Sequence, residues 1–330
     1  MASGARSNVA AMRAFRFGLQ IGNEPAHELV TNVQEAEAAG FDVVHTSDHI
    51  GGQWAPLTTL AAIGAATTRV RLCPLVINND FWHPVQLARE IVALDRLTDG
   101  RVELGIGAGH SFTEYVAMGL AFDPPKVRKA RLAESVEILR RLLDGESVTF
   151  TSEHYQLREV RIAPALQTHL PIFVGVNGPA ALAHAAKHVD TIGLTMLGRT
   201  LEDGQRHEVR WEADRLDRTV EFIAAEAERS GRSEVPELHA LVQSVIITDD
   251  REAAAAELVD GGWVPSTEIA LTTPFLALGT HAEIADHLRS CRDRWGISYY
   301  SVRDVDSFAP VIAQLRIDTR IAPSGVRYER

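Results

Sequence analysis

The chain has 330 residues, of which 45% are hydrophobic, and it carries a formal net charge of −11 at pH 7. Such a chain can bury the core of one large α/β domain or of two small ones. The acidic balance argues against duplex nucleic acid and anionic membranes as partners. No apolar run approaches the roughly 20 residues that a membrane span needs. The two cysteines, Cys73 and Cys291, lie far apart, which indicates a reducing compartment. We therefore expect a soluble, cytoplasmic protein.

Strand-like and helix-like segments alternate along the chain after a start, residues 1–14, that is predicted to be a flexible tail without the apolar core of a signal peptide. The predicted strands are 15–21, 43–46, 70–77, 102–106, 172–176, 191–195, 238–247 and 297–302. The predicted helices are 26–39, 57–66, 84–97, 126–143, 179–188, 202–229, 251–260, 281–295 and 308–315. A short hairpin is predicted from segments 148–150 and 155–157.

This alternation predicts the fold class. Repeated βαβ units imply parallel strands joined by right-handed crossovers. Eight such units favour an α/β fold with a single closed (β/α)8 TIM-like barrel over an open doubly wound sheet. The composition shows no linker, so one domain is predicted over residues 15–318, followed by a C-terminal tail, 319–330. Segments 111–125 and 262–279 are interpreted as insertions at the C-terminal mouth of the barrel.

Polar and glycine-rich residues follow four of the predicted strands. Asp48 and His49 follow the second strand, and residues 78–80, Asn-Asn-Asp, follow the third. Residues 107–110, Gly-Ala-Gly-His, follow the fourth, and residues 175–178, Gly-Val-Asn-Gly, follow the fifth. In a barrel these strand ends face one mouth, where the active sites of this architecture lie. One pocket is therefore predicted to contain all of them.

The two glycine-rich turns suit an anionic ligand, because backbone N–H groups at strand-to-helix turns bind phosphate. Each glycine alone is explained as well by a tight turn, but two such turns on adjacent strands favour phosphate. His49 is a candidate general acid or base, since the histidine pKa of about 6.5 is easily tuned; a capping histidine is the alternative. Two interpretations of Asp48 remain open: it has a functional role, or it is a loop carboxylate that accepts hydrogen bonds from backbone amides.

Other side chains are assigned structural roles. The spacings of His45 with His49 and of His184 with His188 do not predict a metal site, because the first pair lies on a strand and the second lacks the glutamate of a zinc motif. His83 precedes a proline, and two interpretations remain open: it caps a helix, or it lines the cofactor pocket. A basic cluster, Lys126, Arg128, Lys129 and Arg131, is interpreted as a solvated helix face, with an anionic cofactor tail as the alternative.

Several longer blocks resemble the luciferase-like monooxygenase superfamily, and within it the coenzyme F420-dependent (deazaflavin-dependent) oxidoreductases of actinobacterial type. The resemblance covers roughly residues 15–302. It depends on five blocks: FDVVHTSDH, RVRLCPLVINNDFWHPVQLARE, LDRLTDGRVELGIGAGH, PIFVGVNG and GTHAEIADHLR. The block over residues 67–109 is specific to the superfamily. The sequence indicates much less specifically which cofactor a member of the superfamily uses.

The resemblance implies a TIM-like barrel that holds a flavin or a deazaflavin at its C-terminal mouth. It places a non-prolyl cis peptide bond at Leu75–Val76, and it makes Asp48 and His49 the acid–histidine pair beside the reactive ring. The residues implied in cofactor binding are Asp48, Leu75, Val76, Asn78, Ala108, Gly109, His110, Gly175, Val176, Asn177 and Gly178. The implied catalytic residues are His49 and Asp48.

The resemblance also implies the activity. It is a hydride transfer between C5 of coenzyme F420 and a small organic substrate, with His49 exchanging the accompanying proton. The alternatives are an FMN-dependent two-component monooxygenase and a non-catalytic flavin-binding barrel. His110 stands where the sugar-phosphate dehydrogenases of the superfamily have an acidic residue, which argues against a sugar phosphate. Aromatic residues in the insertions, namely Phe112, Tyr115, Trp263 and Phe275, suggest an apolar pocket, and a homodimer without nucleic acid or membrane partners is expected.

Overall fold

The computed structural model describes residues 13–22, 24–51, 54–200 and 207–321. Its strands are β1 (Arg16–Gln20), β2 (Val43–Thr46), β3 (Arg71–Pro74), β4 (Ile77–Asn78), β5 (Leu104–Gly107), β6 (Val148–Thr151), β7 (Gln156–Val160), β8 (Ile172–Gly175), β9 (Thr191–Leu194), β10 (Leu197–Thr200), β11 (His207–Val209), β12 (Glu237–Leu241), β13 (Ser244–Ile247), β14 (Leu276–Gly279) and β15 (Ile297–Val302). Its helices are α1 (Ala26–Ala39), α2 (Pro56–Ala66), α3 (Pro84–Leu97), α4 (Phe112–Ala117), α5 (Pro125–Leu143), α6 (Pro179–His188), α7 (Ala213–Arg229), α8 (Arg251–Asp260), α9 (Thr267–Thr272), α10 (His281–Trp295) and α11 (Val305–Ile321).

Nine of the strands form one sheet in which every pair of neighbours is parallel, in the order β3-β2-β1-β15-β12-β9-β8-β5-β4. The two ends of this sheet meet, because β3 and β4 follow each other in the chain and Leu72 of β3 also pairs with Val102, just before β5. The sheet is therefore a barrel with eight strand positions, one of which β3 and β4 share. The predicted (β/α)8 fold is confirmed.

Local sequence explains where the helices begin and end. Proline occupies the first turn of α2, α3, α5 and α6, where its missing N–H costs nothing. Helix α1 buries Leu29, Val33 and Ala36 against the barrel and ends at Gly40. Gly40 has a φ of 93°, and its N–H bonds the carbonyls of Ala36 and Glu37. This left-handed position, which glycine tolerates, turns the chain into β2.

Three predicted elements differ from the structure. The predicted strand 70–77 is divided at Leu75–Val76, and the predicted strand 238–247 is divided into β12 and β13. The second half leaves the barrel to pair with β14 in the insertion, so one apolar run serves two sheets. The predicted helix 202–229 begins only at Ala213, because β10 and β11 pair antiparallel before it. Residues 202–206 lie outside the described residues.

The ends of the predicted domain stay predictions. Helix α11 continues to Ile321, past the predicted domain boundary at residue 318, whereas residues 1–12 and 322–330 lie outside the described residues. Within the described ranges, no helix combines the length and the apolar character that crossing a membrane would need.

Ion pairs close the end of the barrel where the strands begin. Glu103 is buried and pairs with Arg16 of β1 and Arg71 of β3, while Arg16 also pairs with Glu237 of β12. Burial alone would raise the pKa of Glu103, but the two guanidinium groups hold it below its usual value. Because these residues start four different regions of the sheet, the network fixes the floor of the barrel.

The middle of the barrel contains a buried polar layer. The ring of His45 donates through Nδ1 to the Cys73 carbonyl at 3.0 Å, and its Nε2 accepts the hydroxyl of Tyr299 at 2.9 Å. His239 lies at 2.9 Å from the hydroxyl of Ser301. Burial lowers the pKa of His45 to about 4 and that of His239 well below its usual value. Both rings are therefore neutral at physiological pH.

Candidate active site

His49 lies at the mouth, just after β2, and its ring is held from two sides. Its Nδ1 is 2.7 Å from Oε1 of Glu114, which lies on α4. The ring of His110 approaches it edge-on, with ring centroids 5.4 Å apart and an angle of 88° between the planes. His49 and His110 follow β2 and β5, so this cluster spans the end of the strand position between them.

Asp48 connects β2 to the neighbouring strand position. Its Oδ2 accepts the backbone N–H of Asn78 at 2.9 Å and the indole N–H of Trp82 at 3.3 Å. Burial raises the pKa of Asp48, and these two donors oppose that effect. The predicted role of satisfying backbone amides is therefore present. A further contact with a cofactor stays a prediction.

Asn78 belongs to a compact polar cluster under α4. The hydroxyl of the buried Tyr115 lies 2.9 Å from Oδ2 of Asp80 and 3.2 Å from Oδ1 of Asn78. Arg131 of α5 pairs with Asp80 at 2.8 Å. Gly109 has a φ of 72°, and a Cβ there would overlap the side chains of Tyr115 and Asn78. The glycine thus permits this close packing; its predicted contact with the cofactor phosphate stays a prediction.

The peptide bond between Leu75 and Val76 is cis, as the family resemblance implies. Val76 lies across the next two strands, because its side chain is 2.7 Å from the place that a Cβ on Gly107 would take and 3.7 Å from that of Gly175. Two strand-end glycines therefore make room for Val76. This places Val76 over the ends of β5 and β8.

The turn after β8 has the features of an anion site. Gly178 has a φ of 87° and precedes Pro179 at the start of α6. Among the described residues, a Cβ there would meet only the ammonium group of Lys129, at 3.4 Å. Lys129 donates to the carbonyl of Asn177 at 2.7 Å, and burial lowers its pKa. The first N–H groups of a helix have no partner within it. Open space, a helix N-terminus and an ammonium group therefore meet at this turn.

The remaining predicted site residues border these two places. Asn177 donates to the hydroxyl of Thr195, which directly follows β9, and so connects the turn to the neighbouring strand. Val176 is buried, and Ala108 is half-buried against the core. The structure thus brings the predicted residues to one mouth in two groups. The first contains Asp48, His49, Asn78, Ala108, Gly109 and His110, and the second contains Gly175, Val176, Asn177 and Gly178.

Glu114 is the residue of this site that sequence reasoning missed. It is in the insertion after β5, and the sequence showed only an acidic residue near the aromatic ones. Its approach to His49 depends on how α4 folds over the mouth, which the residue spacing does not reveal.

The structure bears on two of the open interpretations. His83 is the N-cap of α3, where its Nδ1 accepts the N–H of Val85 at 3.3 Å, so the capping role is present, whereas a place in the pocket stays a prediction. The solvated helix face proposed for the basic cluster is wrong for Arg128, which is buried, and for Lys129 and Arg131, which bind the turn after β8 and Asp80. Among the described residues, no group of three or more potential metal ligands occurs.

Comparison with known protein families shows to which family the chain belongs. The model of the luciferase-like monooxygenase family matches residues 8–296. The chain belongs to this family. Its architecture agrees with solved structures as well: an F420-dependent secondary alcohol dehydrogenase, bound to an F420-acetone adduct, superimposes with a TM-score of 0.72 at 18% identity over 92% of this chain and all of that one. At this identity the likeness concerns the fold alone.

Two curated relatives of this luciferase-like protein have named activities. An F420-dependent glucose-6-phosphate dehydrogenase from Nakamurella multipartita is 37% identical over 185 residues, which are 53% of this chain and 54% of that protein. An F420-dependent hydroxymycolic acid dehydrogenase from Mycobacterium tuberculosis is 28% identical over 240 residues, which are 69% of this chain and 61% of that protein. The chain thus spans little more than half the length of the first of these relatives and under two thirds of the second.

Proposed function

We propose that this protein is a coenzyme F420-dependent oxidoreductase that acts on a small organic substrate. The observation that carries the proposal is the pairing, at one mouth, of an anion-binding turn with a histidine placed to exchange protons. The names of the relatives support F420 as the cofactor. When bound, F420 supplies or accepts a hydride at C5, so the protein contributes binding, orientation and proton exchange.

The residues present fit such a cofactor. The phosphate would lie at Gly178, against the first N–H groups of α6 and the ammonium group of Lys129, where the structure leaves space and positive charge. Val76 would lie behind the ring system, since its side chain covers the strand-end glycines Gly107 and Gly175. Asp48 would fix the shape of the wall beside the ring through Asn78 and Trp82.

His49 is the residue for proton exchange. Hydride transfer to or from an oxygen-bearing carbon requires a proton to leave or join that oxygen. Because Nδ1 of His49 is bound to Glu114, Nε2 is the ring atom that remains for the substrate. His49 would then act as general base for an alcohol and as general acid for a carbonyl compound.

A replacement of His49 by alanine tests this role. The expected result is turnover reduced by about 10²–10⁴-fold, with F420 affinity within about twofold of the wild type, as measured by quenching of the coenzyme's fluorescence. Stopped-flow hydride transfer at the wild-type rate would remove His49 from the mechanism. Titration of the purified protein with F420 and with FMN separates the cofactors: tight FMN binding without any F420 binding would replace this proposal with a flavin monooxygenase.

We also propose that the protein is cytoplasmic and forms a homodimer. The two free, buried cysteines support a reducing compartment. Helix α2 supports the dimer, because it presents Ala62 and Ala65 to solvent, and such small residues allow close helix packing. Analytical ultracentrifugation tests the dimer, and a monomer at micromolar concentration would contradict it.

A further inference from the structure

We propose that Glu114 is a positioning residue that fixes the tautomer of His49 and so directs its Nε2 to the substrate oxygen. This inference rests on the proposed function, since it assigns the partner of the proton-exchanging histidine. It goes beyond that function by giving α4, a mouth insertion, a part in the reaction.

The contact between the two side chains sets the tautomer. An ionised carboxylate only accepts hydrogen bonds, so Nδ1 of His49, 2.7 Å from Oε1 of Glu114, must carry the proton. The Nε2 of the neutral ring then has a free electron pair. The Glu114 side chain is only 16% exposed, against 37% for His49. Partial exclusion of water strengthens a hydrogen bond to a charged group.

Glu114 makes this contact in place of a common local one. Ser111, the N-cap of α4, and Glu114 have the S-x-x-E spacing of a capping box, in which the glutamate folds back onto the N-cap N–H. Thr280 and Glu283 have the equivalent spacing and form the complete box at α10. At α4 the Ser111 side chain makes no capping bond to the helix, and the Glu114 carboxylate is turned to His49. The same spacing therefore has two outcomes in one protein: Glu283 completes a capping box, whereas Glu114 contacts His49.

Helix α4 is held in place without Glu114. The buried Tyr115 bonds Asp80 and packs on Phe122, with ring centroids 4.8 Å apart. Phe122 in turn contacts Phe112 and is covered by the guanidinium group of Arg128. A change at Glu114 should therefore leave the helix in place and affect chiefly His49. The edge-on ring of His110 then remains as the second restraint on the orientation of His49.

The tautomer can be measured on the full-length protein without any substrate. We suggest 15N NMR of histidine-labelled protein at about pH 8.5, above the ordinary histidine pKa of about 6.5, with and without F420. In the wild type the His49 signal, assigned by its loss in His49→Gln, should show a protonated Nδ1. In Glu114→Ala both tautomers should appear. In Thr113→Ala, a control on the same helix, the wild-type tautomer should remain.

The second measurement is turnover. With 2-propanol, 2-octanol and glucose 6-phosphate as probes, Glu114→Ala should lower kcat by about 10²-fold on whichever probe the wild type oxidises. KM and F420 affinity should stay within about threefold, and Glu114→Gln, whose amide oxygen can still accept from Nδ1, should recover part of the rate. Thr113→Ala should have wild-type kcat.

The outcomes separate this inference from the proposed function. A single Nδ1-protonated tautomer in Glu114→Ala, or a mixed tautomer with unchanged kcat, would overturn the role of Glu114. Failure of the wild-type protein to bind F420 would overturn the proposed function, whereas the tautomer measured in the cofactor-free protein would still decide whether Glu114 orients His49.

Discussion

The carboxylate of Asp48 accepts the backbone N–H of Asn78 across the boundary between β2 and β4, at 2.9 Å. The same oxygen accepts the indole N–H of Trp82. One half-buried side chain thus fixes the loop that carries His49 to the strand position that carries the cis bond.

We predict that Asp48→Ala lowers the free energy of unfolding by about 1–3 kcal/mol, because two donors lose their acceptor. Asp48→Asn should cost less, since its amide oxygen can replace Oδ2. Urea denaturation measures both. If Asp48 also contacts the cofactor, Asp48→Asn will weaken F420 binding while leaving stability nearly unchanged, and equal F420 affinity in both proteins would restrict Asp48 to its structural role.

A second prediction concerns the packing of β5 against β3. A Cβ on Gly105 would lie only 1.8 Å from the carbonyl oxygen of Pro74, a backbone atom of the neighbouring strand. Gly105→Ala should therefore destabilise the protein by about 3 kcal/mol. Gly22→Ala is the matched control, because the nearest atoms there, on Glu24, are 3.9 Å away. Similar urea midpoints for the two variants would contradict this reading of the barrel wall.

A third prediction concerns the anion site. Lys129→Gln should lower F420 affinity about tenfold, since one charge-assisted contact contributes on the order of 1.4 kcal/mol, and the loss should shrink as salt concentration rises. Lys126→Gln, on the exposed side of the same helix turn, is the control and should bind as the wild type does. Fluorescence titration at low and high ionic strength measures both. An unchanged affinity in Lys129→Gln would remove the phosphate from this turn.

A fourth prediction follows from the buried histidines. Burial keeps His45 and His239 neutral in the fold, with lowered pKa values, about 4 in the case of His45, whereas in the unfolded chain they bind protons near pH 6.5. The unfolded state therefore holds more protons between about pH 6.5 and pH 4, and stability falls as the pH falls through this window. Each histidine contributes up to about 1.4 kcal/mol per pH unit.

The variant His239→Gln isolates this effect. Its free energy of unfolding should depend less steeply on pH between 6.5 and 4 than that of the wild type. Val43→Ala, which alters a buried barrel residue without a titrating group, should lower stability and keep the wild-type slope. Parallel slopes in all three proteins would show that the polar layer does not control acid stability.

The barrel was predictable because the sequence signals that mark its strands and helices are local and recur in each βα unit. Apolar runs, first-turn prolines and Gly40 mark the boundaries of β2, α1, α3 and α6 within one or two residues. The errors occur where an element's partner is distant in sequence. The run 238–247 divides because β14, which lies in an insertion, pairs with its second half.

The common position of Asp48, His49 and Asn78 was predictable, because every strand of such a barrel points to the same mouth. Glu114 and Lys129 were missed or assigned to solvent, because their roles depend on tertiary contacts of an insertion and of a helix face. The composition shows that such a helix face is charged, but it does not predict which carbonyl group or ring each charged side chain will contact.

The ion pairs of Arg16, Arg71 and Glu103 lie at the opposite end of the barrel from His49. Among the described residues, no side chain belongs both to this floor and to the site at the mouth. The residues that close the barrel are therefore separate from those of the proposed site. A substitution in α4 at the mouth should leave the ion pairs of the floor intact.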